Sequence, residues 1–163
     1  MTLLKRTGMK KNAWLFSRII GVTFVMLFIA LTCNAQVQTP SDADLIKQTA
    51  LDYIEGWYEG NAERMQRALH PELAKRIVRT DDRGRYNLGQ MGAMTLVEYT
   101  RMGGGKDTPK EKQQKDVTVL DIFGNAASAK VIASDWVDYL HLAKWNGRWV
   151  IVNVLWELKP KTK

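Results

Sequence analysis

The fold is decided by residues 117–158, which read VTVLDIF (117–123), GN, AASAKVIASDWVDYLHLAKW (126–145), NG and RWVIVNVLWEL (148–158). Asn146-Gly147 supplies the two positive φ angles that a two-residue type I′ turn requires, and Gly124-Asn125 suits the related II′ turn. Each pair lies between apolar runs of strand-like composition. The pattern therefore predicts a three-stranded antiparallel meander whose register is set by the turns.

The middle segment of this meander, residues 126–145, is longer than the roughly 3–10 residues of an ordinary strand. Its small apolar residues are odd-numbered before Ser134, and its bulky ones are largely even-numbered after Asp135. A β-bulge shifts the parity by one residue and bends the strand. We therefore expect one long strand that bends near Ser134-Asp135.

The sequence before the meander predicts helices. Ser41 followed by Asp44 forms an N-terminal capping pattern, and apolar residues then recur at helical spacing until Gly60. Another run of helical spacing covers residues 91–102 and ends at Gly103. Helices first and antiparallel strands afterwards indicate an α+β domain with the helices packed on one face of the sheet.

Between these two helices the pattern is weaker. A second short helix is expected from Asn61, and the step His70-Pro71 is expected to end it and to start another turn through Ile77. Residues 80–90 are polar and turn-rich. The run Gly103-Gly104-Gly105 lacks the spacing of a phosphate-binding loop, so it predicts a flexible link.

The N-terminal residues are typical of a secretory signal. Five Lys or Arg side chains precede the apolar run 19–31, which is shorter than the about 20 residues of a membrane-spanning helix, and a small residue, Ala35, follows. We expect cleavage after Ala35, with an uncleaved anchor or lipidation at Cys33 as alternatives. The predicted division is signal peptide (1–35), linker (36–41), domain (42–160) and basic tail (161–163).

This division predicts a periplasmic or secreted protein with no stable membrane insertion after cleavage. Cleavage would also remove Cys33, the only cysteine. The net charge of the whole chain is +7, but the first 35 residues hold 5 of the 24 basic residues and none of the 17 acidic ones, so residues 36–163 carry 19 − 17 = +2. A nucleic-acid-binding domain normally keeps a clustered basic face, so we expect no nucleic-acid partner.

Four segments carry a resemblance to a known family: Thr49–Gly60, His70–Arg76, Asp116–Asp121 and Ala143–Ile151. They resemble the bacterial putative lumazine-binding family, a branch of the nuclear transport factor 2-like superfamily, over roughly residues 42–160. The resemblance implies a cystatin-like cone, in which helices pack on a strongly curved antiparallel sheet around a central cavity. It implies no established reaction.

Strand parity groups one carboxylate with residues that the family resemblance points inward. If Trp149 and Ile151 point inward, as a Gly-x-Trp-x-Ile pattern of the superfamily suggests, the turn register puts Trp136, Asp138, Leu140 and Leu142 beside them, together with Asn153 and Leu155. Burial of a carboxylate is costly unless it is paired. Asp138 is therefore either satisfied by the protein, available to a ligand, or solvated near the rim.

His70 is the second candidate for chemistry, because it is expected to end a helix at the mouth of the cone and its proton equilibrium lies near neutral pH. A bond to backbone carbonyls is its structural alternative. Tyr53 and Trp57 lie one helical turn apart and suit either the core or a ligand platform. The candidate ligand-binding set is Tyr53, Trp57, Met94, Trp136, Asp138 and Asn153.

The opposite face of the last hairpin is also apolar in this register. Val150, Val152, Val154 and Trp156 alternate with the expected core positions. A sheet with one wet face would alternate apolar and polar residues. We therefore predict a homodimer formed through this face, with a covering tail or loop as the alternative.

Three classes of function remain. The first is a non-enzymatic module that binds a small, partly aromatic molecule in the cone, since the chain has six Trp, five Tyr and four Phe. The second is an isomerase or dehydratase in which Asp138 acts as general base and His70 or Tyr53 as proton donor. The third is a secreted interaction domain. No cofactor and no metal site is expected, because the chain has only two histidines and no metal-ligand spacing.

Overall fold

The first helix, α1 (Asp42–Glu59), has the ends that the sequence predicts. The Ser41 hydroxyl accepts a hydrogen bond from the Asp44 N–H and the Asp44 carboxylate accepts one from the Ser41 N–H, while Gly60 ends the helix with φ 65°.

The computed structural model describes residues 39–160. The expected signal peptide, the first part of the linker and the basic tail lie outside these residues and stay predictions.

The described residues form two further α-helices and six strands. Their bounds are α2 (Ala62–Ala68), β1 (Leu69–Thr80), β2 (Tyr86–Met91), α3 (Ala93–Arg101), β3 (Lys115–Phe123), β4 (Ala126–Ala133), β5 (Trp136–Trp145) and β6 (Arg148–Leu158). A single 3₁₀ turn, Lys110–Lys112, precedes β3.

The six strands form one curved sheet in the order β2-β1-β6-β5-β4-β3, with the helices packed on it. The α+β class with helices on the sheet is confirmed. The sheet is mixed rather than antiparallel throughout, because β1 runs parallel to β6. A parallel pair needs a long connection, and the chain between these two strands supplies the rest of the sheet and α3.

The expected single long strand over residues 126–145 is wrong. The chain reverses at Ser134-Asp135, and β4 pairs antiparallel with β5, Ile132 facing Val137. In this tight hairpin, two residues that face each other across the turn have one odd and one even number. The residues that face inward therefore change parity at the turn, as they would at a bulge. The meander therefore has four strands, with Asn146-Gly147 adopting the predicted pair of positive φ angles, 48° and 78°.

The expected helical turn from His70-Pro71 to Ile77 is also wrong, since these residues form β1. Leu73 and Ile77 are four residues apart, which fits a helix, but both face inward on a strand with Lys75 between them. Because Lys75 is polar, the strand-like alternation of inward residues is not visible as an apolar pattern in the sequence. Residues 80–90 contain the expected turn and also most of β2, whose exposed positions gave no strand signal.

A β-bulge in β6 changes which side chains face the core. Leu142 pairs with Ile151, but His141 pairs with Asn153, so Val152 is an extra residue in β6. Beyond it the parity reverses, and Val154 is buried in the core while Leu155 is half exposed at 54%. The expected inward positions of Asn153 and Leu155 are therefore wrong.

The hydrophobic core fills the space between the three helices and the inner face of the sheet. Its largest fully buried apolar side chains come from both layers: Ile46, Ile54, Met65, Val97, Val131, Leu140, Leu142, Ile151 and Val154. Trp149 and Ile151 lie in it, as the sequence predicts. A cavity lies next to Tyr53 and Trp57, in the C-terminal half of α1.

Candidate functional site

A cavity of about 100 Å³ lies between α1, α3 and the inner face of the sheet. Its walls are almost entirely aromatic or apolar. The lining side chains are Tyr53, Trp57, Met65, Lys75, Met91, Leu96, Tyr99, Trp136 and Trp156. Lys75 is the single cation in this wall, so the cavity offers ring surfaces and one charged donor.

Asp138 anchors a buried polar cluster behind this wall. One carboxylate oxygen accepts from Lys75 Nζ at 2.5 Å, and the other accepts from Trp136 Nε1 at 2.6 Å and from the Tyr53 hydroxyl at 3.2 Å. Lys75 Nζ also donates to the Tyr53 oxygen at 2.7 Å. The solvated-rim alternative for Asp138 is wrong, because this side chain has no exposed surface.

Burial governs the protonation of this cluster. It lowers the pKa of Lys75, and the neighbouring Asp138 carboxylate opposes that shift. Burial, the charge of Asp138 and the hydrogen bond to it raise the pKa of the Tyr53 hydroxyl well above its ordinary value. Tyr53 therefore stays protonated and can serve as a donor at neutral pH.

Trp57 is held by the glycine-rich segment before β3. A β-carbon on Gly104 would lie 2.5 Å from the Trp57 ring, and one on Gly105 would lie 2.6 Å from the Trp57 carbonyl oxygen. The Trp57 ring in turn meets the Trp136 ring edge-on at 6.2 Å. The expectation of a flexible link over Gly103–Gly105 is therefore wrong, since two of these glycines pack against an aromatic wall of the cavity.

A second cavity of about 230 Å³ shares four lining residues with the first: Lys75, Met91, Tyr99 and Trp156. Its remaining lining is more polar, with Arg79, Gln90 and Thr95 beside Ile77 and Gly89. Lys75 Nζ lies 4.7 Å from the centroid of the Trp156 ring, within the range of a cation–π contact. Lys75 and Trp156 thus stand where the apolar and polar cavities meet.

The structure brings four of the predicted site residues together. Tyr53, Trp57 and Trp136 line the first cavity, and Asp138 lies behind Lys75 in contact with two of them. The inward register of β5 is the reason, because even-numbered residues of this strand face the core, as predicted.

The other three predicted residues lie elsewhere. Met94 is 65% exposed on α3, and Asn153 lines a groove on the outer face of the sheet because of the bulge at Val152. His70 is the second residue of β1, where its Nδ1 accepts a hydrogen bond from the Glu72 N–H at 3.2 Å and its ring packs edge-on against Trp145 at 5.1 Å. His70 is therefore not part of the cavity wall.

Sequence reasoning missed Lys75 and Trp156. Lys75 lies in a segment that the sequence predicts as helical. The spacing of Leu73 and Ile77 also fits a strand, but the polar Lys75 between them interrupts the apolar alternation. Trp156 was expected on the outer face, and only the bulge turns it inward. Its indole Nε1 is buried and has no hydrogen-bond partner among the described residues.

Residues 39–160 show neither a metal-ligand cluster nor a membrane-spanning helix. In this range, no group of three or more His, Cys, Asp or Glu side chains is placed to hold a metal ion. No helix in the same range is long and apolar enough to span a membrane.

Solved structures with the same fold support the architecture. A nuclear transport factor 2-like protein of unknown function from Methylobacillus flagellatus KT is 25% identical, with a TM-score of 0.59 over 76% of this chain and 98% of that one. A protein of the same description from Shewanella baltica OS155 is 19% identical, with a TM-score of 0.54 over 72% and 93%. These matches confirm the nuclear transport factor 2-like fold.

A third structure, a nuclear transport factor 2-like protein with a cystatin-like fold from Novosphingobium aromaticivorans, is 12% identical, with a TM-score of 0.55 over 95% of this chain and 94% of that one. No curated protein matches the chain. The family model described as putative lumazine-binding matches residues 41–157, which include every helix of the described residues and nearly all of the sheet. The chain therefore belongs to the putative lumazine-binding family of nuclear transport factor 2-like proteins.

Proposed function

We propose that this protein is an exported carrier or sensor that binds a small, partly aromatic molecule in the cavity between its helices and sheet. The observation that carries the proposal is the wall of three tryptophans and two tyrosines around one buried lysine. Ligand sites are typically apolar with a few placed polar groups. The description of its family as lumazine-binding is consistent with a small-molecule ligand.

The size of the cavity favours a compact ligand. Its volume of about 100 Å³ is below the ~300–1,000 Å³ of a typical drug-sized pocket. Met65 and Met91 in the wall are flexible side chains that can adapt to a slightly larger ring. One ring, or two with adjustment of these methionines, is the expected scale of ligand.

The alternative of an isomerase or dehydratase has less support from the geometry. A general base must reach the proton that it removes. Asp138 has no exposed surface and already accepts three hydrogen bonds, and His70 lies outside the cavity wall. The same contacts favour a structural carboxylate that holds Lys75 and Trp136 in place for a ligand.

Filling the cavity tests the binding proposal. In Leu96→Phe the larger side chain enters a wall position that is 4% exposed, so affinity for ring compounds is expected to fall at least about tenfold, or ~1.4 kcal/mol. Leu88→Phe, at a 58% exposed position on β2, is the matched control and should bind as wild type does.

Binding is measured by native mass spectrometry of protein purified from its own cells and by tryptophan fluorescence titration with small aromatic probes. Circular dichroism verifies that both variants are folded. Equal affinity of Leu96→Phe and wild type would contradict binding in this cavity, as would a failure of every probe to bind the wild-type protein.

We also propose that the chain forms a homodimer through the outer face of the sheet, with a revised set of residues. Val154 faces the core, Trp156 lines the cavity and Val150 is buried, so the four predicted valine and tryptophan positions do not form one exposed patch. Tyr139 and Leu155, 52% and 54% exposed, are cross-strand partners on that face and line a groove there.

Leu155→Asp is expected to convert the dimer to a monomer, because a carboxylate would be desolvated in an apolar contact. Size-exclusion chromatography with light scattering measures the mass. Leu120→Asp, at a 51% exposed position on the edge strand β3, is the control and should remain dimeric. A monomeric wild-type protein would refute the proposed dimer.

A further inference from the structure

The boundary between the two inner cavities holds two N–H groups that lack acceptors. The buried Trp156 Nε1 has no partner within residues 39–160. The Lys75 ammonium has three donors, of which two bond to Asp138 and Tyr53, and the described residues provide no acceptor for the third. A buried donor without an acceptor costs free energy, so an acceptor oxygen placed here would be strongly favoured.

The charges around this boundary are unequal. Lys75 and Arg79 line the second cavity, which has no acidic side chain in its wall. Asp138 neutralises Lys75 from behind. Arg79 forms no ion pair within the described part of the chain, so the paired cavities carry a net charge of about +1 toward an occupant.

The position of Arg79 follows from the register of β1. Lys75, Ile77 and Arg79 share the inner face of that strand, and Gly89 lies opposite Ile77 on β2. A β-carbon on Gly89 would lie 3.8 Å from Arg79 Nε, so the arginine side chain runs along the glycine backbone. The guanidinium of Arg79 thus lies at ordinary contact distance from Gly89, beside the second cavity.

We propose that the ligand is a compact aromatic acid, whose ring occupies the apolar cavity and whose acid oxygens face Lys75, Trp156 and Arg79. The ring would contact Trp57 and Trp136. The carboxylate would accept hydrogen bonds from the indole N–H of Trp156 and from the third N–H of Lys75. Arg79 would add attraction for the negative charge. This inference rests on the proposed binding function and specifies the chemical class of its ligand.

Three probes with the same ring and different charge test the inference on the full chain: benzoate, benzamide and benzylamine. Binding is followed by the indole N–H signals of ¹⁵N-labelled protein. At low ionic strength benzoate is expected to bind about fivefold more tightly than benzamide, equivalent to ~1 kcal/mol, and benzylamine most weakly. The ratio of the benzoate affinity to the benzamide affinity should fall as salt is added, because salt screens the attraction between charges.

Two variants separate the charge from the hydrogen bond. Arg79→Gln is expected to lower the affinity for benzoate toward that for benzamide and to leave the affinity for benzamide nearly unchanged. Arg83→Gln, at an exposed arginine in the turn between β1 and β2, should change neither affinity. Trp156→Phe keeps a ring but removes the N–H, so it should weaken benzoate and benzamide alike. Toluene, which has no acceptor, should lose less affinity on Trp156→Phe than benzoate or benzamide does.

The outcomes distinguish this inference from the proposed function. If benzoate, benzamide and toluene all fail to bind, the binding function itself is refuted. If benzoate, benzamide and toluene bind with equal affinity, the aromatic-acid inference is refuted while the binding function stands. The same holds if Arg79→Gln leaves the ratio of the benzoate affinity to the benzamide affinity unchanged.

Discussion

Replacing Lys75 with methionine is expected to lower the free energy of unfolding by about 3–5 kcal/mol, because the change removes the partner of a buried charge. Asp138 has no exposed surface and would be left with only the Tyr53 and Trp136 donors. Methionine has nearly the volume of lysine, so little of the loss would come from packing. Urea denaturation measures the change, and a loss below about 1 kcal/mol would contradict it.

A second substitution separates charge from packing. In Lys75→Met/Asp138→Asn the uncompensated charge is gone while an acceptor oxygen remains for Tyr53 or Trp136, so much of the lost stability should return. Lys130→Met, at a half-buried lysine of β4 that forms no ion pair within residues 39–160, is the matched control and should change stability by less than about 1 kcal/mol.

Gly105→Ala is expected to be the second largest effect, at about 1–3 kcal/mol, because overpacking forces backbone or ring shifts. The new β-carbon would lie 2.6 Å from the Trp57 carbonyl oxygen, which belongs to helix α1 and cannot rotate away. Trp57 must therefore move, and it lines the cavity. The variant should lose both stability and affinity for ring compounds.

Urea denaturation and probe titration measure these two losses. Gly92→Ala is the control, since its β-carbon would make only an ordinary contact, 3.8 Å from the Leu73 carbonyl oxygen. It should bind probes as wild type does and lose less stability. Wild-type affinity in Gly105→Ala would show that the position of Trp57 does not matter for binding.

Local signals predicted the helices and most turns. The Ser41 capping box and Gly60 set the ends of α1, and Asn146-Gly147 set the last hairpin, because each depends on hydrogen bonds and φ angles of neighbouring residues. The inward face of β5, including Trp136 and Asp138, followed from the parity counted from that turn together with the resemblance of Trp149 and Ile151 to the superfamily pattern. These features need no information from distant parts of the chain.

Errors arose where two structures share one pattern. The reversal at Ser134-Asp135 and a bulge give the same parity change, and only the pairing of β4 with β5 distinguishes them. Leu73 and Ile77 fit a helix or a strand, and only the parallel pairing of β1 with β6 decides between them. The partner strand is distant in sequence in the second case, so local spacing could not identify it.

The sequence alone determined the α+β class, the capped first helix and the register of the final turn, because these depend on the pattern and turn chemistry of near neighbours. Only the tertiary structure decided that Lys75 of β1 pairs with Asp138 of β5 on the inner face of the sheet and that a bulge at Val152 turns Trp156 into the cavity. The first depends on the pairing of β1 with β6, and the second on the register between β5 and β6. A buried charge or an inward indole is recognisable only once its neighbours are in place.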